Sequence, residues 1–428
     1  MKKVITYGTY DKLHHGHVRL LERAKALGDY LIVGVTSDDF DRQRGKINVS
    51  QSLMERIANV EATGLADEII IEEYQGQKID DIRRYGVDIF TVGSDWIGKF
   101  DYLREWCEVV YLPRTEGVSS TQIRSEEDKL RLGVIGASPY ATKVVEQSAF
   151  VNGIEVTATR ASLDADDDAF FNAVDAVFVL SLPAKHYNDV KASLSHGKHV
   201  LCESPAALSR KQAENLWDLA KRKNLCLVDA VKTAYATAYE RLLLLVKSGA
   251  IGEVVSVDAT CTTLRPEQLA TQEAREQSWS SMCSWGPTAL LPVFHLLGTD
   301  YKHRRIFSKI IDEKLRFDAF SKVDFEYANA VASIKVAKGA KSEGELVVTG
   351  TEGYVYVPAP WWKTDYFEVR LEDSAGNRRY FYQLDGEGIR YELVSFLRTV
   401  KHGGECPYMP SRVSLAIVEV IESLFSED

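Results

Sequence analysis

The chain lacks the features that place a protein in a membrane or send it out of the cell. Among its 428 residues, no apolar run approaches the roughly 20 residues that a helix needs to cross a bilayer. Residues 1–8 lack the apolar core of a signal peptide and already follow the pattern of a strand. With 45% hydrophobic and 27% charged residues, the composition is typical of a globular protein. We therefore expect two or three domains and no membrane span.

Cysteine is sparse, and its spacing argues against a structural metal site. The six cysteines are scattered along the chain without a pair at CxxC spacing, so nothing indicates structural zinc or a disulfide framework. Reduced thiols are typical of the cytoplasm, which is where we expect this protein. The cysteines are Cys107, Cys202, Cys226, Cys261, Cys283 and Cys406.

An excess of positive charge is also missing. The chain has 52 Lys and Arg against 62 Asp and Glu, which gives a formal net charge of -10 at pH 7. Because nucleic-acid binding depends on basic side chains that neutralise phosphates, this balance argues against a nucleic-acid partner. Any phosphate site must therefore be a local pocket of basic residues.

What the chain does contain is two successive series of strands that alternate with helices. The first series predicts strands at 4–7, 30–35, 69–71, 88–92 and 109–112 and helices at about 17–27, 52–64 and 78–85. The second series predicts strands at 130–135, 155–158, 176–180, 199–201 and 226–228. Strands that alternate with helices form a parallel sheet covered on both faces, so each series predicts a Rossmann-like α/β fold.

The pattern changes after about residue 254. Alternating runs such as 345–348 and 353–357 predict a large, mostly antiparallel sheet in a final α/β domain. A charged run at 125–129 separates the two Rossmann-like series. We therefore predict three domains, which span residues 1–128, 129–253 and 254–428.

Three histidines, His14, His15 and His17, fall within four residues around Gly16, although the whole chain has nine. They lie where the first strand passes into the first helix, the edge at which an open α/β sheet binds its ligand. A helix N-terminus offers backbone N–H groups to anions, and Gly16 permits a close approach to phosphate. Imidazoles can donate hydrogen bonds to phosphoryl oxygens in a transition state. A metal site is the alternative, but no cysteine or carboxylate set completes it.

Motifs in the first series resemble those of the cytidylyltransferase family. Residues 8–11, GTYD, and residues 14–17, HHGH, are similar to the GTFD and HxGH signatures. Residues 114–121, RTEGVSST, are similar to RTEGxSTT, and residues 93–100, GSDWIGKF, lie between the two. Residues 1–124 resemble glycerol-3-phosphate cytidylyltransferases throughout.

The resemblance implies an enzyme that joins CTP to a polyol phosphate and releases pyrophosphate, with Mg²⁺. The acceptor phosphate would attack the α-phosphorus in line, so the protein supplies positioning and charge stabilisation. It implies that His14 and His17 hold the reacting phosphates and that Arg114 grips the triphosphate. Lys46 would contact substrate, or is a solvated loop lysine. The implied nucleotide-binding residues are Thr9, Tyr10, Asp11, Gly16, Asp95, Ser119, Ser120 and Thr121.

The chain departs from this family's pattern at positions that concern the acceptor. The family's GDDW has Ser94 in place of one carboxylate, and Gly64 stands where the family has an arginine. The family's tryptophan near Gln77 is absent, with Tyr74 and Gln75 close by. These departures leave the acceptor open between glycerol 3-phosphate and a related sugar-alcohol phosphate. CDP-polyols point to surface glycans such as teichoic acid or capsule.

Residues 130–428 resemble a second family, the Gfo/Idh/MocA oxidoreductases. The resemblance implies a Rossmann domain that holds NAD or NADP, followed by an α/β domain whose open sheet often forms oligomer contacts. It therefore implies a homo-oligomer. The segments that carry it are 134–138 (VIGAS), 182–186 (LPAKH), 197–205 (GKHVLCESP), 350–353 (GTEG) and 386–392 (GEGIRYE).

The residues that carry chemistry in this second family are altered. Ser138 stands at the second glycine of the dinucleotide fingerprint. Ser204 replaces the lysine of the family's EKP motif, and no aspartate precedes His295. Arg160 would meet the 2'-phosphate of NADP, or is a surface arginine. The candidate dinucleotide site consists of Gly136, Ser138, Arg160, His186, Glu203 and His295.

Three interpretations follow. The first is a cytidylyltransferase whose oxidoreductase-like part serves assembly or acceptor binding. The second is a bifunctional enzyme that also reduces a keto-sugar phosphate with NAD(P)H to supply the polyol phosphate. The third, a nucleotide sensor, is disfavoured by the intact HHGH and RTEG motifs. Because a serine hydroxyl is not a cationic acid, the altered motif predicts no turnover with NAD(H) or NADP(H) unless His295 or Tyr187 takes the lysine's place.

Overall fold

A computed structural model describes residues 1–43, 49, 51–74, 76–113, 129–163, 167–182, 184–382 and 384–425. The chain forms two compact units, Met1–Asp128 and Lys129–Asp428. Of the helices in the described ranges, none combines the length and apolar content that crossing a membrane requires. The further division of the second unit at residue 253 stays a prediction.

The first unit contains one five-stranded parallel sheet. Its strands are β1 Lys3–Gly8, β2 Tyr30–Thr36, β3 Glu68–Glu72, β4 Ile89–Gly93 and β5 Glu108–Leu112. The described helices are α1 His15–Lys25, α2 Asp38–Gln43, α3 Leu53–Glu61 and α4 Gln77–Tyr85. The strand order is β3-β2-β1-β4-β5, so β1 lies at the centre and α1 leaves from its carboxyl end.

Both faces of this sheet are buried, as the apolar runs predict. Successive residues of β1 point to opposite faces, so Val4 packs in one apolar cluster and Ile5 in the other. Gly34 on β2 is required by close contact, because a Cβ there would lie 2.2 Å from the ring of Tyr7. Ser52 caps α3 through the backbone N–H of Glu55.

The second unit begins with another five-stranded parallel sheet. Its strands are β6 Leu130–Ile135, β7 Ile154–Arg160, β8 Ala176–Val179, β9 His199–Glu203 and β10 Leu227–Ala230. Its helices are α5 Pro139–Ser148, α6 Asp168–Asn172, α7 His186–Ser195 and α8 Arg210–Arg222. The order β10-β9-β8-β6-β7 reverses direction between β8 and β6, which is where such sheets bind ligands.

A mixed eight-stranded sheet follows in the same unit. Its strands are β11 Val254–Thr262, β12 His303–Asp312, β13 Phe317–Glu326, β14 Val331–Ala337, β15 Leu346–Gly350, β16 Gly353–Val357, β17 Tyr366–Leu371 and β18 Arg378–Phe381. The helices are α9 Thr237–Lys247, α10 Pro266–Leu269, α11 Gln272–Glu276, α12 Ser281–Leu297, α13 Ile389–His402 and α14 Ser411–Glu422. All neighbours pair antiparallel except β11 and β14, which are parallel.

The last helix returns to the second parallel sheet. Val418 of α14 is fully buried in the apolar cluster formed by residues of β6–β10 and their helices. At the same contact the backbone N–H of Arg210, in α8, donates to Glu422 at 3.1 Å. The C-terminal helix therefore completes the core around strands that precede it by about 200 residues.

The predicted fold class is confirmed, with two parallel α/β sheets and one largely antiparallel sheet. The sequence did not reveal α12, a buried helix that carries Pro287 and Pro292 in its interior. Proline removes a backbone donor and disfavours a helix interior, so the local pattern gave no helix signal. Burial of an almost wholly apolar segment against β11, β13 and β14 outweighs that preference.

Candidate functional sites

The turn between β1 and α1 brings two of the three clustered histidines face to face. The rings of His14 and His17 stack with centroids 3.9 Å apart and planes 21° from parallel. His14 caps the helix, because its Nδ1 accepts the backbone N–H of Gly16 at 3.1 Å. A neutral His14 ring therefore carries its proton on Nε2, which is then a hydrogen-bond donor. His15 is exposed and accepts from Arg19 Nε at 3.3 Å.

The side chain of Tyr10 is buried beneath this turn. It is 2% exposed, and its ring meets His17 edge-on at 5.5 Å. A Cβ at Gly8 would lie 2.9 Å from the Tyr10 ring, so this glycine makes room for it. The backbone of Tyr10 is left-handed, with φ of 53°. Tyr10, predicted as a nucleotide contact, therefore lies beneath His17, and burial raises the pKa of its phenol.

Thr9 and Asp11 connect the same turn to the chain after β2. Thr9 Oγ1 donates to Asp41 Oδ1 at 2.9 Å, and the backbone N–H of Gln51 donates to Asp11 Oδ1 at 3.0 Å. Asp95 is exposed in the turn that follows β4. The predicted residues outside the described ranges are Lys46, Arg114, Ser119, Ser120 and Thr121.

Arg56 of α3 is a central residue that the sequence analysis missed. Its side chain is fully buried, and Nη1 donates to the carbonyl oxygens of Thr9 at 2.7 Å and Thr36 at 2.8 Å. Nε donates to the carbonyl of Gln51 at 3.2 Å, and Nη2 pairs with Asp38. One guanidinium thus joins the ends of β1 and β2. Its position on the buried stripe of α3 was the available signal.

In the second unit, the turn between β6 and α5 is built like a dinucleotide-binding turn. Gly136 has φ of 145°, and a Cβ there would lie 2.3 Å from the carbonyl oxygen of Leu180. Ser138, at the second fingerprint position, caps α5 by accepting the N–H of Ala141 at 3.2 Å. Arg160 at the end of β7 is half-exposed, and its Nε lies 3.6 Å from Oδ1 of Asp167.

His186 and Glu203 both contact Trp279. The His186 ring lies 5.0 Å from that of Trp279, and its Nδ1 is 3.0 Å from the carbonyl oxygen of Pro205. Burial lowers the pKa of His186 to about 4. Burial raises the pKa of Glu203, while a hydrogen bond with Trp279 and the charges of Lys338 and Lys232 act against it.

Ser204, at the position of the missing lysine, and the two residues considered as its replacements, His295 and Tyr187, have different surroundings. Ser204 is 5% exposed and lies near the buried carboxyl of Asp229. His295 Nδ1 is 3.2 Å from the hydroxyl of Tyr239, and burial lowers the pKa of His295 to about 4. Tyr187 donates to Asn215 on α8 at 3.2 Å. His295 and Tyr187 are thus engaged by other elements, whereas Glu203 forms a hydrogen bond with Trp279 and is affected by the charges of Lys338 and Lys232.

Comparison with known proteins identifies the first unit. Residues 5–126 match the Cytidylyltransferase-like family. Glycerol-3-phosphate cytidylyltransferase of Bacillus spizizenii is 53% identical over 126 residues, which is 29% of this chain and 97% of that protein. The enzyme of the same name from Staphylococcus aureus is 48% identical over 126 residues, 29% of this chain and 95% of that protein. The chain belongs to the cytidylyltransferase family through its first unit.

In the second unit, residues 130–230 match the oxidoreductase family with an NAD-binding Rossmann fold. An NADP-dependent scyllo-inositol 2-dehydrogenase of Bacillus subtilis is 27% identical over 131 residues, 26% of this chain and 40% of that protein. A 3-ketoreductase of Actinomadura kijaniata, solved with NADP and TDP-benzene, superimposes with a TM-score of 0.60 at 17% identity. That superposition covers 69% of this chain and 96% of the ketoreductase, and shows the shared fold. Both family resemblances are confirmed.

Proposed function

We propose that the cytidylyltransferase unit transfers CMP from CTP to a polyol phosphate, releasing pyrophosphate. The observation that carries this is the stacked pair His14 and His17 at the start of α1. Together with the helix N-terminus, their ring N–H groups would stabilise charge that grows on the phosphoryl oxygens. Arg56 acts indirectly, because it fixes the carbonyl of Thr9 and hence the turn that carries both rings.

We also propose that Mg²⁺ binds the triphosphate of CTP. Among the described residues, no three His, Cys, Asp or Glu side chains form a group able to hold a metal. Mg²⁺ characteristically binds phosphate oxygens, water and one or two carboxylates, so such a group is not required. Asp11, next to the histidine turn, is the carboxylate best placed to take part. The metal would neutralise phosphate charge during transfer.

The test is release of pyrophosphate from CTP by the full chain, with glycerol 3-phosphate, ribitol 5-phosphate and other polyol phosphates offered in turn. We expect release with at least one acceptor, and ATP to be used poorly. Pyrophosphate release with no acceptor in the panel contradicts the acceptor class. Equal rates with ATP and CTP contradict the nucleotide. The product would serve surface-glycan synthesis in the cytoplasm.

A second activity, reduction of a keto-sugar phosphate with NAD(P)H, has its own support. Gly136 allows the tight strand-to-helix turn that such a site needs, because it packs directly against the backbone of Leu180, and Arg160 lies at the end of β7, where a 2'-phosphate would sit. The polyol phosphate formed would be the acceptor of the first unit. Fluorescence titration with NADH and NADPH tests binding. We further infer a homo-oligomer, assembled through the open eight-stranded sheet.

A further inference from the structure

A partly exposed lysine lies at the carboxyl edge of the second sheet. Lys232 follows β10, two residues after Ala230, which is the register partner of Glu203 at the end of β9. Neighbouring parallel strands end at one edge of a sheet, so both residues lie at the carboxyl edge, outside which sheets of this kind bind their ligands. Lys232 Nζ is 4.6 Å from the ring centre of Tyr140, in the first turn of α5. All three side chains are partly exposed.

A buried carboxyl with no hydrogen-bond partner lies beside this lysine. Glu392 of α13 is 0% exposed, and neither of its oxygens accepts a hydrogen bond from the residues that the structure describes. Burial raises the pKa of Glu392 to about 8, so its carboxyl is largely protonated at neutral pH and becomes negatively charged only as the solution turns alkaline. The charges of Lys232 and Glu203 both act on Glu392, so the three groups are electrostatic neighbours.

Four charged side chains act on Lys232, namely Glu392, Lys363, Glu387 and Lys143. Lys143 and Lys363 both pair with Glu387, at 2.8 and 2.9 Å. Burial lowers the pKa of Lys232, and repulsion from Lys363 and Lys143 adds to this effect. Attraction to Glu392 and Glu387 opposes it, and the pKa of Lys232 remains below its ordinary value. An ammonium of this kind gives up its proton more readily than an exposed lysine.

The neighbouring Lys338 has a different role. Its side chain is 6% exposed, and Nζ donates to the carbonyl oxygen of Trp279 at 2.6 Å. Burial lowers the pKa of Lys338 to about 8. Because its ammonium donates to the backbone carbonyl of Trp279, Lys338 holds the segment that carries this indole in place. Lys232, in contrast, is partly exposed at the carboxyl end of β10.

We propose that Lys232 is the proton donor of the second unit, in the place of the lysine that position 204 lacks. This rests on the proposed reduction of a keto-sugar phosphate. NAD(P)H, when bound, supplies the hydride that reduces the carbonyl carbon. An N–H bond of the Lys232 ammonium breaks as an O–H bond forms on the former carbonyl oxygen, and the amine then regains a proton from water.

The first test follows NADPH oxidation by the full chain with a panel of ketose phosphates. We expect turnover that falls at alkaline pH, because the donor must be protonated. Lys232→Met and Lys232→Arg should lower kcat by about 10²-fold or more, since arginine keeps the charge but does not release a proton. The Kd for NADPH, read from fluorescence, should change less than about threefold. Lys221→Met, on the exposed face of α8, is the matched control.

The second test measures Lys232 without cofactor. Lysines methylated with ¹³C are titrated by NMR, and the Lys232 signal is identified by its loss in Lys232→Arg. We expect it to titrate below the ordinary lysine value of about 10.4. Glu392→Gln should lower it further, because an attractive negative charge is removed. Lys221→Met should leave the signal unchanged.

The outcomes separate this proposal from the proposed activities. NADPH oxidation that is undiminished in Lys232→Met leaves the reductase standing and removes Lys232. Absence of turnover in the native protein, as the altered motif predicted, overturns both the reductase and the role of Lys232. An ordinary titration of Lys232 overturns the proposal by itself. Pyrophosphate release from CTP is unaffected by any of these results.

Discussion

At the scale of single residues, the backbone decides which of three neighbouring histidines can act. His14 is fixed because its Nδ1 caps the helix through Gly16, and His17 is fixed between the ring of His14 and the edge of Tyr10. His15 points to solvent beside Arg19. We therefore expect His14 and His17, but not His15, to take part in catalysis.

The first prediction compares these histidines. His14→Ala or His17→Ala should lower the rate of CMP transfer by about 10²-fold or more, the usual loss for one transition-state donor. His15→Ala, which removes only an exposed ring, should have a much smaller effect. The measurement is pyrophosphate release, with circular dichroism as the check on folding. If His15 were critical and His17 dispensable, the assignment of the motif would be wrong.

The second prediction concerns Arg56. Arg56→Met should lower the free energy of unfolding by about 3 kcal/mol or more, because three carbonyls and buried Asp41 lose their common partner. Arg56→Lys should recover part of the stability but little activity, since an ammonium lacks the planar fork. Urea unfolding and kcat are measured together. The control, Arg19→Lys, changes an exposed pair with Glu22 and should shift stability by less than about 1 kcal/mol.

The third prediction uses Asp229, where burial raises the pKa from 3.8 to about 6. An acid whose folded pKa is raised costs stability when ionised, so the cost is full above pH 6 and vanishes near pH 4. Asp229→Asn should therefore raise stability by up to about 3 kcal/mol at pH 8. This gain should shrink as the pH falls from 6 to 4. Thermal melts of both proteins across pH 4–8 measure it, and a gain that is constant with pH contradicts the assignment.

At the scale of elements, both units use a strand-to-helix turn, but they treat its helix N-terminus differently. In the first unit the cap is His14 Nδ1, which leaves the opposite ring nitrogen as a donor. In the second unit the cap is Ser138, whose hydroxyl occupies the N–H of Ala141. The turn of the first unit therefore adds a ring N–H donor beside the helix N-terminus. In the second unit the Ser138 hydroxyl occupies one of the backbone N–H groups of the helix N-terminus.

The fourth prediction tests how strictly the second turn needs its glycine. Gly136→Ala should destabilise the protein by well over 1 kcal/mol, because the Cβ would strike the carbonyl oxygen of Leu180. Gly197→Ala is the matched control, since Gly197 also has positive φ but has no atom within 4 Å of the added Cβ. Backbone strain alone should cost it about 1 kcal/mol. Equal losses in the two variants would show that the contact with Leu180 yields easily.

Local sequence patterns predicted the elements that form both parallel sheets, and motif spacing located both turns. They could not reveal Arg56, Lys232 or Glu392 as neighbours of those turns, because each comes from a different element and its partners are set by tertiary packing. Arg56 contacts carbonyls of residues 9, 36 and 51. Glu392 reaches the second sheet from α13, which is about 190 residues from Glu203 in sequence.

At the scale of the whole molecule, the three sheets bury almost every thiol. Five of the six cysteines are buried, and only Cys107 is partly exposed. The absence of CxxC pairs predicted free thiols, and all six are free. Their burial shows that they serve as small apolar core residues rather than as reactive groups.

The fifth prediction is a thiol count. Native protein should react with Ellman's reagent at one position, Cys107, and slowly, because burial raises the pKa of its thiol. All six cysteines should react after unfolding in guanidinium. Cys107→Ser should remove the native reaction and lower the unfolded count to five. Rapid reaction of two or more thiols in the native protein would contradict the packing around the buried cysteines.

The return of α14 to the second sheet has a consequence for synthesis of the chain. Ribosomes add about 5–20 residues per second from the N-terminus, so the strand that completes the first sheet emerges early, at residue 112. The five strands of the second sheet are present by residue 230, but the helix that carries Val418 begins only at residue 411. A nascent chain halted between these points would expose the apolar surface that Val418 covers. Chaperones and proteases act on such surfaces, so stalled products should be removed selectively.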